Sequence, residues 1–145
     1  GEVLTRFLKG ANFNDNVKLT FGDVTVPGDL EIYHDGSNSY IQDTGTGNLL
    51  ITSDGASVQI NKGLTENMAE FITDGAVNLY YDSVKKFETT STGTLTTGQM
   101  DIAALNTAPA SAGAAGTLGE IRYTADYIYV CTATNTWKRT AIATW

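Results

Sequence analysis

The sequence predicts an all-β chain that completes its core with copies of itself: an elongated homotrimeric β-fibre whose shaft is intertwined or triple-stranded and β-helix-like, ending in a small C-terminal β tip. Three observations carry this expectation. With 15 glycines, only 2 prolines and 22 threonines in 145 residues, the composition favours strands joined by tight turns. Asp-Gly pairs recur in similar surroundings: LEIYHDGSNSYIQD, LLITSDGASVQINK and AEFITDGAVNLYYD place Asp35, Asp54 and Asp74 at steps of 19 and 20 residues. Finally, the apolar residues, 41% of the chain, are scattered in short alternating runs, and one strand-turn-strand unit is too thin to cover its own apolar face. Three chains about one axis would give each strand two neighbours to pack against.

The opening GEVLTRFLKG carries Val3, Leu4, Phe7 and Leu8, which fits either a short helix or a strand. The three Asp-Gly units follow, each read as a hairpin: alternating residues such as Leu30 with Ile32 and Leu49 with Ile51 lead into the turn, and Gly36, Gly55 and Gly75 are expected to supply a positive φ. A longer echo sets GDVTVPGDLEI (from Gly22) over GTLTTGQMDI (from Gly93), after the related runs NVKLTF and SVKKFE, so the pattern restarts after about 70 residues. Residues 1–105 are therefore read as a repetitive β shaft. The Ala- and Gly-rich stretch 106–119 lacks periodicity and reads as a linker. Residues 120–145 form the tip, a meander of Glu120–Tyr123, Tyr127–Thr132 and Thr136–Ile142 with turns at TAD and ATN.

A formal charge of −7 with dispersed Lys and Arg argues against nucleic-acid binding through phosphates. No apolar run is long enough to span a bilayer, so no membrane insertion is expected, and the given residues show no signal-peptide pattern. The chain begins at Gly1 without a methionine, as a piece cut from something longer would. Cys131 is alone, forms no intrachain disulfide, and beside Val130 reads as a small buried thiol.

Catalytic patterns are sparse. There is no Gly-x-Ser-x-Gly elbow and no phosphate-binding glycine loop, and His34 is the single imidazole. On a three-fold axis His34 would form a ring of three and is a weak metal candidate, but it lacks a partner ligand spaced as in His-x-His. Asp29, Asp35, Asp43, Asp54 and Asp74 sit near turns, where turn geometry accounts for them better than a calcium site or a glycosidase pair. No catalytic residue and no cofactor is assigned. The aromatic residues Tyr123, Tyr127, Tyr129, Trp137 and Trp145 gather in the tip. An exposed aromatic face there would stack on sugar rings, Trp137 reads better as core or interface, and Trp145 as accessible.

The phrases GDLEIYHDGSNSYI, GAVNLYYDSVKKFETTSTG and GEIRYTADYIYVCTATNTWKR resemble segments of tail fibre and related virion fibre proteins of tailed bacteriophages, notably marine ones, across most of residues 22–145. The resemblance implies a homotrimeric fibre in the virion whose distal part binds a bacterial surface receptor, a glycan or outer-membrane component, without turnover. The chain lacks the long self-cleaving chaperone region of some fibres, so its end is expected to be the fibre tip. Tyr127, Tyr129, Lys138, Arg139 and Trp145 are then the receptor-contact candidates, because charged and aromatic side chains collect where the fibre meets the cell. The alternatives are a tailspike-like polysaccharide depolymerase, a non-binding structural spacer and a head fibre.

Overall fold

The computed structural model describes residues 10–22 and 28–145. The expectation for the N-terminal segment, and the middle of the GDVTVPG echo, lie outside the described residues. Among these, eleven strands and no helix are present: β1 (Leu19–Phe21), β2 (Leu30–His34), β3 (Ser39–Asp43), β4 (Ser57–Lys62), β5 (Glu66–Ile72), β6 (Val77–Tyr81), β7 (Val84–Thr90), β8 (Gly93–Thr96), β9 (Ile121–Tyr123), β10 (Tyr127–Ala133) and β11 (Thr136–Ala141). They form three antiparallel sheets in which neighbours follow chain order: β1-β2-β3, β4-β5-β6-β7-β8 and β9-β10-β11. The chain divides into two compact units, Gly1–Val77 and Asn78–Trp145.

In the first sheet, the two faces differ in kind because side chains alternate. The register Leu19↔Ile32↔Ile41 and Phe21↔Leu30 puts five apolar side chains on one face, and Leu19, Phe21, Ile32 and Ile41 remain exposed there beside Phe13 and Val17. The opposite face closes on itself. Tyr33 and Tyr40, directly opposed, stack with ring centroids 4.6 Å apart, the Tyr33 hydroxyl donates to Gln42, and Lys18 both pairs with the buried Glu31 at 2.7 Å and lies over the Tyr33 ring. The turn between β2 and β3 is set by Asp35, whose carboxylate accepts from Ser37 N, Asn38 N and the Tyr40 hydroxyl. These bonds favour the ionised form and lower its pKa to about 2.

The Asp-Gly repeat resolves unevenly. Its first copy is the β2–β3 hairpin with Gly36 at φ 95°, and its third is the β5–β6 turn. In the second copy only β4 forms, and Leu49–Thr52 before it carries no strand, leaving Leu50 75% and Ile51 69% exposed. Gly55 and Gly75 do not adopt the left-handed conformation expected of them; at the third turn Asp74 takes it instead, with φ 53°. Asp tolerates this region because its short polar side chain satisfies nearby backbone. Gly75 is needed for space instead, since a Cβ there would lie 2.9 Å from Ile72 Cγ2. A further tight turn, Asp82–Ser83 between β6 and β7, has both residues at positive φ, 50° and 59°, the conformation that a two-residue hairpin loop requires.

The third sheet follows the expected meander to within a residue or two at each strand end, with Asn135 at φ 56° closing the β10–β11 turn. Its face of Tyr129, Cys131 and Trp137 is the only group of buried apolar side chains among the described residues, at 8%, 1% and 5% exposure. What covers it is the stretch 106–119, expected to be a linker. Trp137 N and Nε1 donate to the carbonyls of Ala112 and Ala114, Asn135 and Gly116 exchange two hydrogen bonds, Gly119 N reaches Cys131 O, and Asn106 and Tyr123 exchange two more. Gly116 lies so close under the indole that a Cβ would stand 2.5 Å from Trp137 Cζ2. The small residues of this stretch thus let its backbone lie directly on the sheet.

Most of the apolar side chains of the first two sheets are only partly covered or bare.

Candidate ligand-contact site on the C-terminal sheet

A cleft of 340 Å³ opens beside β11, lined by Pro109, Ala110, Ser111, Ala112, Tyr129, Trp137, Lys138 and Arg139. Strand pairing builds it. Tyr129 sits opposite Arg139 on one side and Arg122 on the other, and Cys131 opposite Trp137, so Arg122, Arg139, Tyr129 and Trp137 share the face over which 109–112 passes. The Trp137 N to Ala112 O bond, 2.8 Å, pins that segment as the second wall.

Cations at this face rest on aromatic rings. The Arg139 guanidinium lies 4.2 Å from the Tyr127 ring centroid and that of Arg122 4.8 Å from Trp137. The Tyr129 hydroxyl, then the field of Tyr127, hold the Arg139 pKa above its ordinary value. Arg122 is further fixed by Glu120, whose Oε1 accepts its Nε at 2.7 Å and whose Oε2 accepts Thr117 N. The Arg122 hydrogen bond, then that from Thr117, draws the Glu120 carboxyl below the usual range.

Of the residues expected to meet a receptor, Tyr129 and Arg139 come together at this cleft, Lys138 borders it from the reverse face, opposite Val130, and Tyr127 adjoins it through Arg139 and through Tyr129, with ring centroids 5.8 Å apart. They differ in accessibility. Lys138 and Arg139 are exposed, Tyr127 is half-buried, and Tyr129 is buried, so Tyr129 can offer only an edge and its hydroxyl. Trp145 lies apart, fully exposed, beside Ala125, Asp126 and Ile142. Sequence reasoning missed the wall 109–112 and the role of Arg122; a run of small residues at 106–119 ahead of a strand carrying a tryptophan was the available signal, but such a run is also what a flexible spacer looks like.

The other candidates lie elsewhere. Gly36, Gly55 and Gly75 occupy turns in the first unit, and His34 Nδ1 lies 3.2 Å from the Ser39 hydroxyl at the end of β2. Among the described residues no three His, Cys, Asp or Glu side chains gather in a way that would hold a metal ion, and no helix is long and apolar enough to cross a membrane. No protein-family model matches the chain, and no curated protein or solved structure is significantly similar to it.

Proposed function

We propose that the chain is the distal part of a homotrimeric β-structured tail fibre of a bacteriophage, shaft followed by tip, which attaches the virion to a bacterial surface receptor and performs no chemistry on it. The observation that carries the trimer is the set of bare apolar sheet faces. In β1–β3 the polar and aromatic groups are satisfied on one face while Leu19, Phe21, Ile32 and Ile41 on the other remain 39–64% exposed. Such a face is unfavourable in water at ~25 cal/mol per Å² of apolar surface and is covered in an assembly. The exposed Leu49-Leu50-Ile51 run, which aligns with strands in the other two repeats, supports the same reading: its backbone would pair with a neighbouring copy. The third sheet repeats the division, with Ile121 and Val130, a cross-strand pair, exposed on the face away from Trp137.

Attachment is supported by the resemblance of the three phrases to virion fibres and by the cleft with exposed Lys138 and Arg139 in the C-terminal unit. Three such sites on one trimer, with several fibres on a particle, convert weak contacts into firm adsorption through effective concentration. The test applies fluorescently labelled chain to intact cells of a panel of marine bacteria. Saturable binding to some strains, displaced by unlabelled chain, is expected; absence of binding to every strain by a well-folded assembly would leave a spacer as the better description.

A further inference from the structure

The cleft beside β11 stands out electrostatically from the rest of the molecule. The chain carries 16 acidic against 9 basic residues, yet no Asp or Glu lines this cleft, where Arg139 stands on the Trp137 face and Lys138, opposite Val130, follows it at the rim. Elsewhere among the described residues, Lys18, Lys62, Lys85 and Arg122 are each paired with a carboxylate, of Glu31, Glu66, Glu88 and Glu120, and Lys86 is the other described cation outside an ion pair. Lys138 and Arg139 have no such ion pair, and Arg139 is instead steadied from below by the Tyr127 ring, which fixes its planar group without neutralising it.

We propose that this cleft binds the anionic group of an acidic sugar unit, a pyranose ring bearing a carboxylate or a sulfate, in a bacterial surface polysaccharide. The inference rests on the reading of the C-terminal unit as the part that meets the cell, and adds the ligand's chemistry. The cavity of 340 Å³ is at the small end of ligand sites, sized for a compact group. Pro109, Ala110 and Ala112 supply a wall of small apolar side chains suited to the C–H face of a sugar ring, Ser111 adds a hydroxyl, and the Arg139 fork faces the charge. A nucleic acid would need a basic track following its phosphates, and two cations on a chain of net charge −7 do not make one.

The experiment measures binding by calorimetry with the 145-residue chain and four probes: an oligogalacturonate, the same oligosaccharide with its carboxyls reduced to alcohols, a sulfated galactan oligosaccharide and a polyglutamate peptide. Binding of at least one anionic probe is expected, weakened about ten-fold or more on loss of the anionic group and by Arg139→Gln, the size of one charge-assisted hydrogen bond, and reduced between low salt and 0.3 M salt. The carboxylate and sulfate arms separate the two anionic sources. Ser111→Asp, in an exposed position of the wall, should abolish binding without touching β11, so the proposal stays testable even if Arg139→Gln disturbs the Tyr127 packing. Equal affinity for the reduced oligosaccharide, or unchanged affinity in both variants, would overturn the inference, as would preferential binding of a polyglutamate peptide. If labelled chain adsorbs to cells yet takes up none of the saccharides, the ligand class is wrong while attachment stands. If it adsorbs to no cells and takes up no saccharide, both fall.

Discussion

The sheet β9–β11 and the sheet β1–β3 are both three-stranded antiparallel meanders, but they solve the problem of a thin sheet differently. The former lays its own chain, residues 106–119, across one face and buries Trp137, Cys131 and Tyr129 beneath it. The latter satisfies one face with a stacked tyrosine pair and a Lys18–Glu31 ion pair, and leaves the other, with Phe21, Ile32 and Ile41, only partly covered among the described residues. A sheet with one such open apolar face is marginal in isolation. The difference teaches where each core comes from: in the C-terminal sheet from within the chain, and in the N-terminal sheet, on the proposed reading, from other copies.

The strongest way to break the comparison is to remove the intramolecular core. Trp137→Ala should destabilise the C-terminal unit by about 3–5 kcal/mol, read as a lowered first melting transition in near-ultraviolet circular dichroism, with the tyrosine signal of β1–β3 persisting. Gly116→Ala probes the same contact more gently. With no room for a Cβ against the indole, it should cost about 1–3 kcal/mol, and an unchanged melt would show that the 106–119 cover contributes little.

Ile41→Asp sharpens the other side. It places a charge at the centre of the open face, so association should weaken by at least about ten-fold, roughly 1.4 kcal/mol, while the Trp137 signal stays native. If assembly were unaffected, that face would not be where copies meet. A subtler pH effect is expected at Asp35. Its pKa falls from 3.8 unfolded to about 2 folded, so the stabilisation it gives is fully present above pH 4 and lost as pH falls through 2. Asp35→Ala should therefore melt lower than the parent at pH 5, with the gap closing toward pH 2; a constant gap would contradict the assignment. The smallest effect is expected at Ser83, where glycine removes the cost of a positive φ and should raise stability by ~0.5–1 kcal/mol in thermal melts.

Much of this architecture was legible in the sequence where one chain satisfies its own strands. The alternation of Tyr127, Ile128, Tyr129 and Val130 located β10, and the turn at Asp35–Gly36 located the β2–β3 hairpin. Legibility failed where, on the proposed reading, the outcome depends on a partner surface. Leu49-Leu50-Ile51 has the pattern of a strand but pairs with no strand among the described residues. It failed also where two residues compete for one conformation, as when Asp74 rather than Gly75 takes the positive φ, and where a compositional signal has two physical meanings. Alanine and glycine at 106–119 read as flexibility, but Gly116 is small because an indole lies on it. The cleft was half legible: Lys138 and Arg139 were recognisable as a charged tip, whereas the wall that makes them a site became visible only once that stretch was seen to fold back.

The account depends most on the claim that the N-terminal sheet borrows its core from other copies. Sedimentation equilibrium of the intact chain at micromolar concentration tests this directly. The expected result is a single species of three times the 15.5 kDa chain mass, dissociating only together with loss of β-structure in the first unit. A stable species of one chain mass, with cooperative melting and full β-structure, would contradict it.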